Sequence, residues 1–171
     1  MMKFVYSIIV MTLISCATSH QPLKKTSQVD IKRFMGDWFV IANIPTFVEK
    51  GAHNAVETYT WNDKENRIDV IFKFNKGSFD GETKIYTQKA FVHDSSGNEW
   101  RIQFFWPLKF PYLILDVAPD YSYTVIGVPN RSYVWIMARK KTMDNKVYEK
   151  IISDLKNQNY DISKIERVPQ R

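Results

Sequence analysis

Gly36-Asp37-Trp38-Phe39-Val40-Ile41-Ala42-Asn43-Ile44, stopped by Pro45, reads as a β-strand: aromatic and β-branched residues in one run, bounded by turn formers. The same grammar repeats along the chain. Ala55 to Trp61 is closed by Asn62-Asp63-Lys64-Glu65-Asn66. Arg67 to Phe74 alternates, with Ile68, Val70, Phe72 and Phe74 on one face and Asp69 and Lys73 on the other. Gly77 and Gly81 mark the next turn. Thr83 to His93 runs into Asp94-Ser95-Ser96-Gly97-Asn98, a hairpin signal. Trp100, Ile102 and Phe104 alternate with Arg101 and Gln103, and Pro107 and Pro111 bracket a loop. Tyr112 to Val117, Tyr123 to Val128 and Tyr133 to Arg139 complete eight runs, parted by Pro119-Asp120 and by Pro129-Asn130-Arg131-Ser132.

Eight strands on short connections predict an all-β domain. An up-and-down barrel removes every open edge and leaves room for one small ligand. A packed sandwich has the same strand count, and periodicity alone leaves both open. After the eighth run the pattern changes. Asp144 is a helix cap, and Val147, Ile151 and Leu155 recur at i, i+4, i+8 while Lys146, Glu149, Lys150 and Asp154 face away. One amphipathic helix of about 12–14 residues follows, with its stripe docked on the outside of the sheet. A short run, Ile165 to Val168, precedes a polar end.

The N-terminus has to be set apart first. Lys3 is followed by an apolar run from Phe4 to Ile14, shorter than the ~20 residues of a membrane span. Leu13-Ile14-Ser15-Cys16 resembles the lipobox of bacterial lipoproteins, which implies cleavage before Cys16 and a lipid on its sulfur. Cys16 is the only cysteine, so an exported chain has no internal disulfide and one thiol that asks for a use. Ala17, where inner-membrane members of that group often carry Asp, implies the outer membrane. Ala17 to Gln28 is polar, contains Pro22 and shows no apolar periodicity, the composition of a flexible tether. The net charge of +6 is spread over short Lys/Arg pairs, a solvated surface with no nucleic-acid module.

Gly36-Asp37-Trp38 at a strand start, with Arg139 ending the eighth run, resembles the lipocalins, where Gly-x-Trp opens strand A and an arginine packs over that tryptophan. Trp38-Phe39-Val40-Ile41-Ala42, Glu49-Lys50-Gly51 and Pro129-x-Arg131-x-Tyr133-x-Trp135-Ile136-x-x-Arg139 resemble the bacterial outer-membrane lipocalins, relatives of apolipoprotein D. The middle motif, Thr-Asp-Tyr in classical members, is only Pro119-Asp120-Tyr121 here. The resemblance implies an eight-stranded antiparallel lipocalin barrel with one C-terminal helix outside. It also implies a signal peptide at 1–15, a lipidated tether at 16–29 and a lipocalin domain at 30–171. The structural motif is Gly36, Trp38 and Arg139, a cation–π lid on the closed end.

Counting by two from Arg139 places Met137, Trp135 and Tyr133 in the lumen, and counting from Trp38 places Val40, Ala42 and Ile44 there. Alternation adds Phe72, Trp100 and Phe104. An aromatic lumen suits an acyl chain, and the resemblance implies binding of a fatty acid or lysophospholipid for lipid storage, transport or envelope maintenance. The barrel would face the periplasm from the outer membrane, and a homodimer is allowed. The other reading is a structural lipoprotein with a filled barrel. No catalytic residue, metal site or cofactor is expected beyond the covalent lipid at Cys16. His20, His53 and His93 lack metal spacing, no Gly-x-Ser-x-Gly is present, and no carboxylate pair stands out.

Overall fold

The structure, a computed structural model, describes residues 21–171. A short helix α1 (Ile31–Phe34) leads into β1 (Gly36–Ile44), β2 (Ala52–Asn62), β3 (Arg67–Lys76), β4 (Thr83–Val92), β5 (Glu99–Phe105), β6 (Leu108–Val117), β7 (Tyr123–Gly127) and β8 (Val134–Ala138). Helix α2 (Asn145–Asn157), a single 3₁₀ turn and the two-residue strand β9 (Glu166–Arg167) follow. Each strand pairs antiparallel with the next, and β1 pairs with both β8 and β2, so the sheet closes on itself. This is the expected barrel, with one further strand. β9 takes over the β1 edge where β2 diverges, pairing Ala42 with Arg167 and Asn43 with Glu166.

Inside lies one apolar cluster that includes Trp38, Val40, Phe72, Trp100, Trp135 and Met137. Outside, α2 lays Tyr148, Ile151 and Leu155 on Ala42, Ile44, Val134 and Ile136. Asp144 caps α2 through the amides of Lys146 and Val147, as its position in the sequence predicts.

The closed end is built around Trp38. Its indole N–H donates to the Phe34 carbonyl at 2.8 Å, and Phe34, Tyr59 and Trp100 pack around one another with ring centroids 5.0 to 5.8 Å apart. The Arg139 guanidinium lies 3.7 Å from the Trp38 ring centroid. It also donates to the carbonyls of Arg33, Phe34, Met35 and Asp37 at 2.8–3.0 Å. These carbonyls belong to α1 and the link into β1, so one side chain ties helix, strand and indole together. Gly36 has φ +98, a backbone conformation that side chains with a Cβ rarely adopt, which is why glycine stands two residues before the tryptophan.

Two expectations change. Composition casts residues up to 29 as a tether, yet Leu23 is buried against the α2 side of the barrel. The Thr26 amide reaches the Ile114 carbonyl at 3.1 Å, and the Val29 amide reaches Ser96 at 2.8 Å. From Gln21 onward the segment is a strap along the wall, held by main-chain bonds that composition does not report. The lumen face of β1 also shifts. Val40 pairs with Met137 but Ala42 with Ile136, so Ile41 is the extra residue of a β-bulge. Ala42 and Ile44 therefore face α2 rather than the lumen, and Asn43, opposite Trp135, takes the inward place.

Arg139→Ala should lower unfolding free energy by about 2–4 kcal/mol, because several carbonyls and an indole face lose their partner together. Arg139→Lys should restore less than half of that. In a double-mutant cycle by urea denaturation, Arg139→Ala and Trp38→Leu should couple by more than ~0.5 kcal/mol, whereas additivity would mean the contact carries no energy.

Candidate functional site

Above the Trp38 plug, the lumen wall is built by strand alternation. Ala55, Glu57 and Tyr59 come from β2, Ile68, Val70, Phe72 and Phe74 from β3, and Trp100 and Ile102 from β5. Tyr112 and Ile114 of β6, Ile126 of β7 and Trp135 and Met137 of β8 complete it. Five residues assigned to the lumen from sequence do line it: Val40, Phe72, Trp100, Trp135 and Met137. Two more sit higher. Tyr133 precedes β8 and lies at the open rim, with its ring centroid 6.2 Å from that of Trp135. Phe104 has the inward parity of Trp100 and Ile102 but is more than half exposed, because the register slips between Ile102 and Phe105 and the β5–β6 hairpin runs beyond the wall. Its ring meets Phe110 at 6.0 Å. Phe104 and Tyr133 are thus rim residues, not lumen residues.

The interior also holds a polar network that sequence reasoning missed. The Tyr59 hydroxyl donates to Glu57 Oε2 and lies 2.5 Å from the Tyr112 hydroxyl, which reaches the same carboxylate oxygen at 3.2 Å. Tyr112 stacks on Trp100 at 5.9 Å and leans on Trp135 at 6.0 Å. The Trp135 indole N–H donates to Glu49 Oε1 at 2.9 Å. Glu49 comes from the β1–β2 loop and accepts the Thr46 amide on its other oxygen at 2.7 Å. Both carboxylates are about 5% exposed, and among the described residues neither has an ion-pair partner. The sequence carried a signal: Glu57 has the parity of Ala55 and Tyr59, an acidic residue on the inward face of a strand. Glu49 lies in a loop, where parity says nothing.

Burial away from water pushes the Glu57 carboxyl up to about 7. The Tyr59 hydroxyl bond pulls the other way, and the negative charge of Glu49 adds to the rise. Burial also raises Tyr59 and Tyr112 well above the usual phenol range, so both remain donors. The lumen is therefore an aromatic and aliphatic chamber whose internal charges are acidic, and one of them is poised to be neutral. A separate outer groove of about 400 Å³ lies between α2 and β6–β7, lined in part by Lys24, Asp116, Lys150 and Asp154. It is a charged surface cleft on the far side of the wall from the lumen.

A closed antiparallel barrel, plugged by an arginine-covered tryptophan and lined inside by aromatic and aliphatic side chains, has the architecture of a lipocalin. The family comparison agrees: residues 29–170 match the model of the lipocalin-like domain, and the chain belongs to that family. It is 29% identical to temperature-induced lipocalin-1 of Arabidopsis thaliana, over 90% of this chain and 86% of that one. It is 25% identical to the outer membrane lipoprotein Blc of Vibrio cholerae, over 99% of this chain and 100% of that one. Among solved structures, the cockroach allergen Per a 4 superposes with a TM-score of 0.66 at 18% identity, covering 90% of this chain and 96% of that one. Insecticyanin of the tobacco hornworm Manduca sexta gives 0.66 at 18% identity, covering 88% and 85%. Membership of this family implies binding of a small hydrophobic molecule.

Folding favours the protonated form of Glu57, since its value in the fold lies above the ordinary 4.5. Its contribution to stability is then complete below about 4.5 and is lost as pH rises to about 7, a change of roughly 3 kcal/mol at most. Glu57→Gln should flatten the pH dependence of urea stability between those values and should be the more stable protein at pH 8. Equal slopes in both proteins would show that Glu57 does not titrate in that window.

Proposed function

We propose that this is a membrane-anchored lipocalin that carries a single-chain lipid, a fatty acid or lysophospholipid, with its tail in the lumen and its head at the open rim. The observation that carries this reading is the lumen wall. Phe72, Trp100, Trp135 and Met137 offer apolar contact, while among the described residues the charges of the interior are the carboxylates of Glu49 and Glu57. A carboxylate or phosphate head is repelled by both and remains outside; a hydrocarbon tail is not.

Magnitudes suit a carrier. A tail of ~15 methylenes gains roughly 12 kcal/mol gross, against ~4–15 kcal/mol lost on association. The balance corresponds to a dissociation constant of roughly micromolar to tens of micromolar.

The anchor rests on Leu13-Ile14-Ser15-Cys16, which lies outside the described residues. The similarity to outer membrane lipoproteins over nearly the whole chain supports placement at the outer membrane, with the barrel in the periplasm. Two acyl chains make such attachment stable.

A tail lying beside Glu57 requires the neutral carboxyl. Lysophosphatidylcholine, whose head does not titrate near neutrality, should bind the wild type about tenfold or more tightly at pH 5.5 than at pH 8.5, read by Trp fluorescence. Glu57→Gln should bind equally at both. Met137→Glu should abolish binding, whereas Ile136→Glu, on the α2 face, should act on stability instead. No binding by the folded wild type at either pH would favour the structural lipoprotein with a filled barrel. In cells, labelled palmitate should mark the wild type and not Cys16→Ala, and an unlabelled wild type would exclude the lipid anchor.

A further inference from the structure

β1 leaves the Trp38 plug and runs outward, so the β1–β2, β3–β4, β5–β6 and β7–β8 connections all lie at the open end. That end is apolar where a soluble rim would be polar. The β5–β6 hairpin reads Phe104-Phe105-Trp106-Pro107-Leu108-Lys109-Phe110, with Trp106 85% and Phe105 59% exposed. Phe104, Leu108 and Phe110 are exposed as well. In the β1–β2 loop, Phe47 is 87% exposed. That loop is fixed from below by the Glu49–Trp135 bond and from the side by Lys76, whose ammonium donates to the Lys50 carbonyl at 2.7 Å. Its exposed phenylalanine is therefore presented by an anchored loop. The two tips face each other across the mouth in the closed strand order, and monomeric soluble proteins rarely leave large aromatic side chains so exposed as on the Phe104 to Phe110 hairpin.

The course of the N-terminal strap says what covers it. Arg131, in the β7–β8 connection at the open end, is buried and donates to the Gln21 carbonyl at 2.6 Å, to Gln158 at 2.7 Å and to Pro129 at 3.0 Å. From Gln21 the strap descends the wall to Val29, which bonds at the β4–β5 turn of the closed end. The chain thus enters the domain at the open rim. Cys16 stands five residues before Gln21, and five extended residues reach at most about 18 Å. A lipid on Cys16 would hold the open rim, not the plug, close to the bilayer. The tip chemistry matches that surface. Trp and Phe sit well at headgroup depth, and Lys50, in the β1–β2 loop, forms no ion pair among the described residues.

We propose that the open rim is a membrane-docking surface, with Trp106, Phe105 and Phe47 inserted in the headgroup region of the bilayer that holds the N-terminus, so that the lumen opens directly onto lipid. The orientation rests on the anchor reading above; the docking itself is measurable without the anchor. Ligand would then pass between bilayer and lumen without crossing water, and the acidic interior would admit the tail first.

The test uses the mature chain with Cys16→Ser, unlipidated, mixed with vesicles of phosphatidylethanolamine and phosphatidylglycerol at ~3:1. The protein should cosediment, and lipids brominated on the acyl chain should quench its fluorescence. Trp106→Phe should remove most of that quenching. Phe105→Ser with Trp106→Ser should weaken vesicle partition at least about tenfold. Ile71→Ser with Ile85→Ser, exposed on the barrel wall, should leave it unchanged. Circular dichroism confirms that each variant is folded. Failure of the unlipidated wild type to bind vesicles, or equal binding by the tip and wall variants, overturns the docking surface. So does a dimer that needs Phe105 and Trp106 and forms without vesicles, which would make the patch an interface between copies. Since Cys16 is replaced throughout, none of these outcomes bears on whether the native cysteine is lipidated.

Discussion

A barrel that carries something must be shut at one end, and here the closure is a cation held against an indole. Arg139 finds its partners in carbonyls from α1 and the start of β1 and in the face of Trp38. This satisfies main-chain acceptors that the end of a four-residue helix leaves open, and it seals an aromatic cluster with a group that still touches water. The positions above the plug inherit their geometry from it. Trp38 sets the parity of β1, β1 sets the register of both β2 and β8, and those strands bring Glu57 and Trp135 into the same chamber.

Much of the fold could be read from the chain because the determinants are local. Turn residues part the strands, Asp144 caps the helix, and the Trp38–Arg139 signature sits at the two ends of the strand series. Parity held for β8, where Trp135 and Met137 line the lumen and Ile136 faces the helix. It failed past Val40, because a bulge at Ile41 leaves no mark in a run of apolar residues on both faces. Phe104 was misplaced for a related reason: alternation gives the face of a strand but not its height, and the hairpin continues beyond the wall. The strap was hidden because its main-chain bonds at Thr26 and Val29 depend on partners far along the chain. The polar network was hidden in the same way, since a tyrosine on β2, another on β6 and a loop glutamate meet only after closure.

The interior is a compromise between two demands. A small hydrophobic guest calls for apolar walls, yet Glu57 and Glu49 place carboxyl groups among them. Burial makes ionised Glu57 costly, and protonation relieves that cost at the price of a proton taken from solution. The tyrosine pair holds the carboxyl in one position in either state, because both phenols are kept as donors. Glu49 serves differently. Its bonds to Trp135 and Thr46 draw the β1–β2 loop down into the mouth, so the same residue shapes the entrance and contributes charge to the chamber.

The seam of the barrel lies where β1 parts from β2, and it is filled by the last residues of the chain. β9 pairs with Ala42 and Asn43, the Val168 amide bonds the Ile41 carbonyl, and the Gln170 side-chain amide bridges Val40 on β1 to Ala55 on β2. A chain that emerges N-terminus first during synthesis can form its hairpins one by one as they appear. It cannot zip this seam until residue 170 is through. Closure of the chamber therefore waits for these residues, and a chain clipped before them would display an incomplete wall.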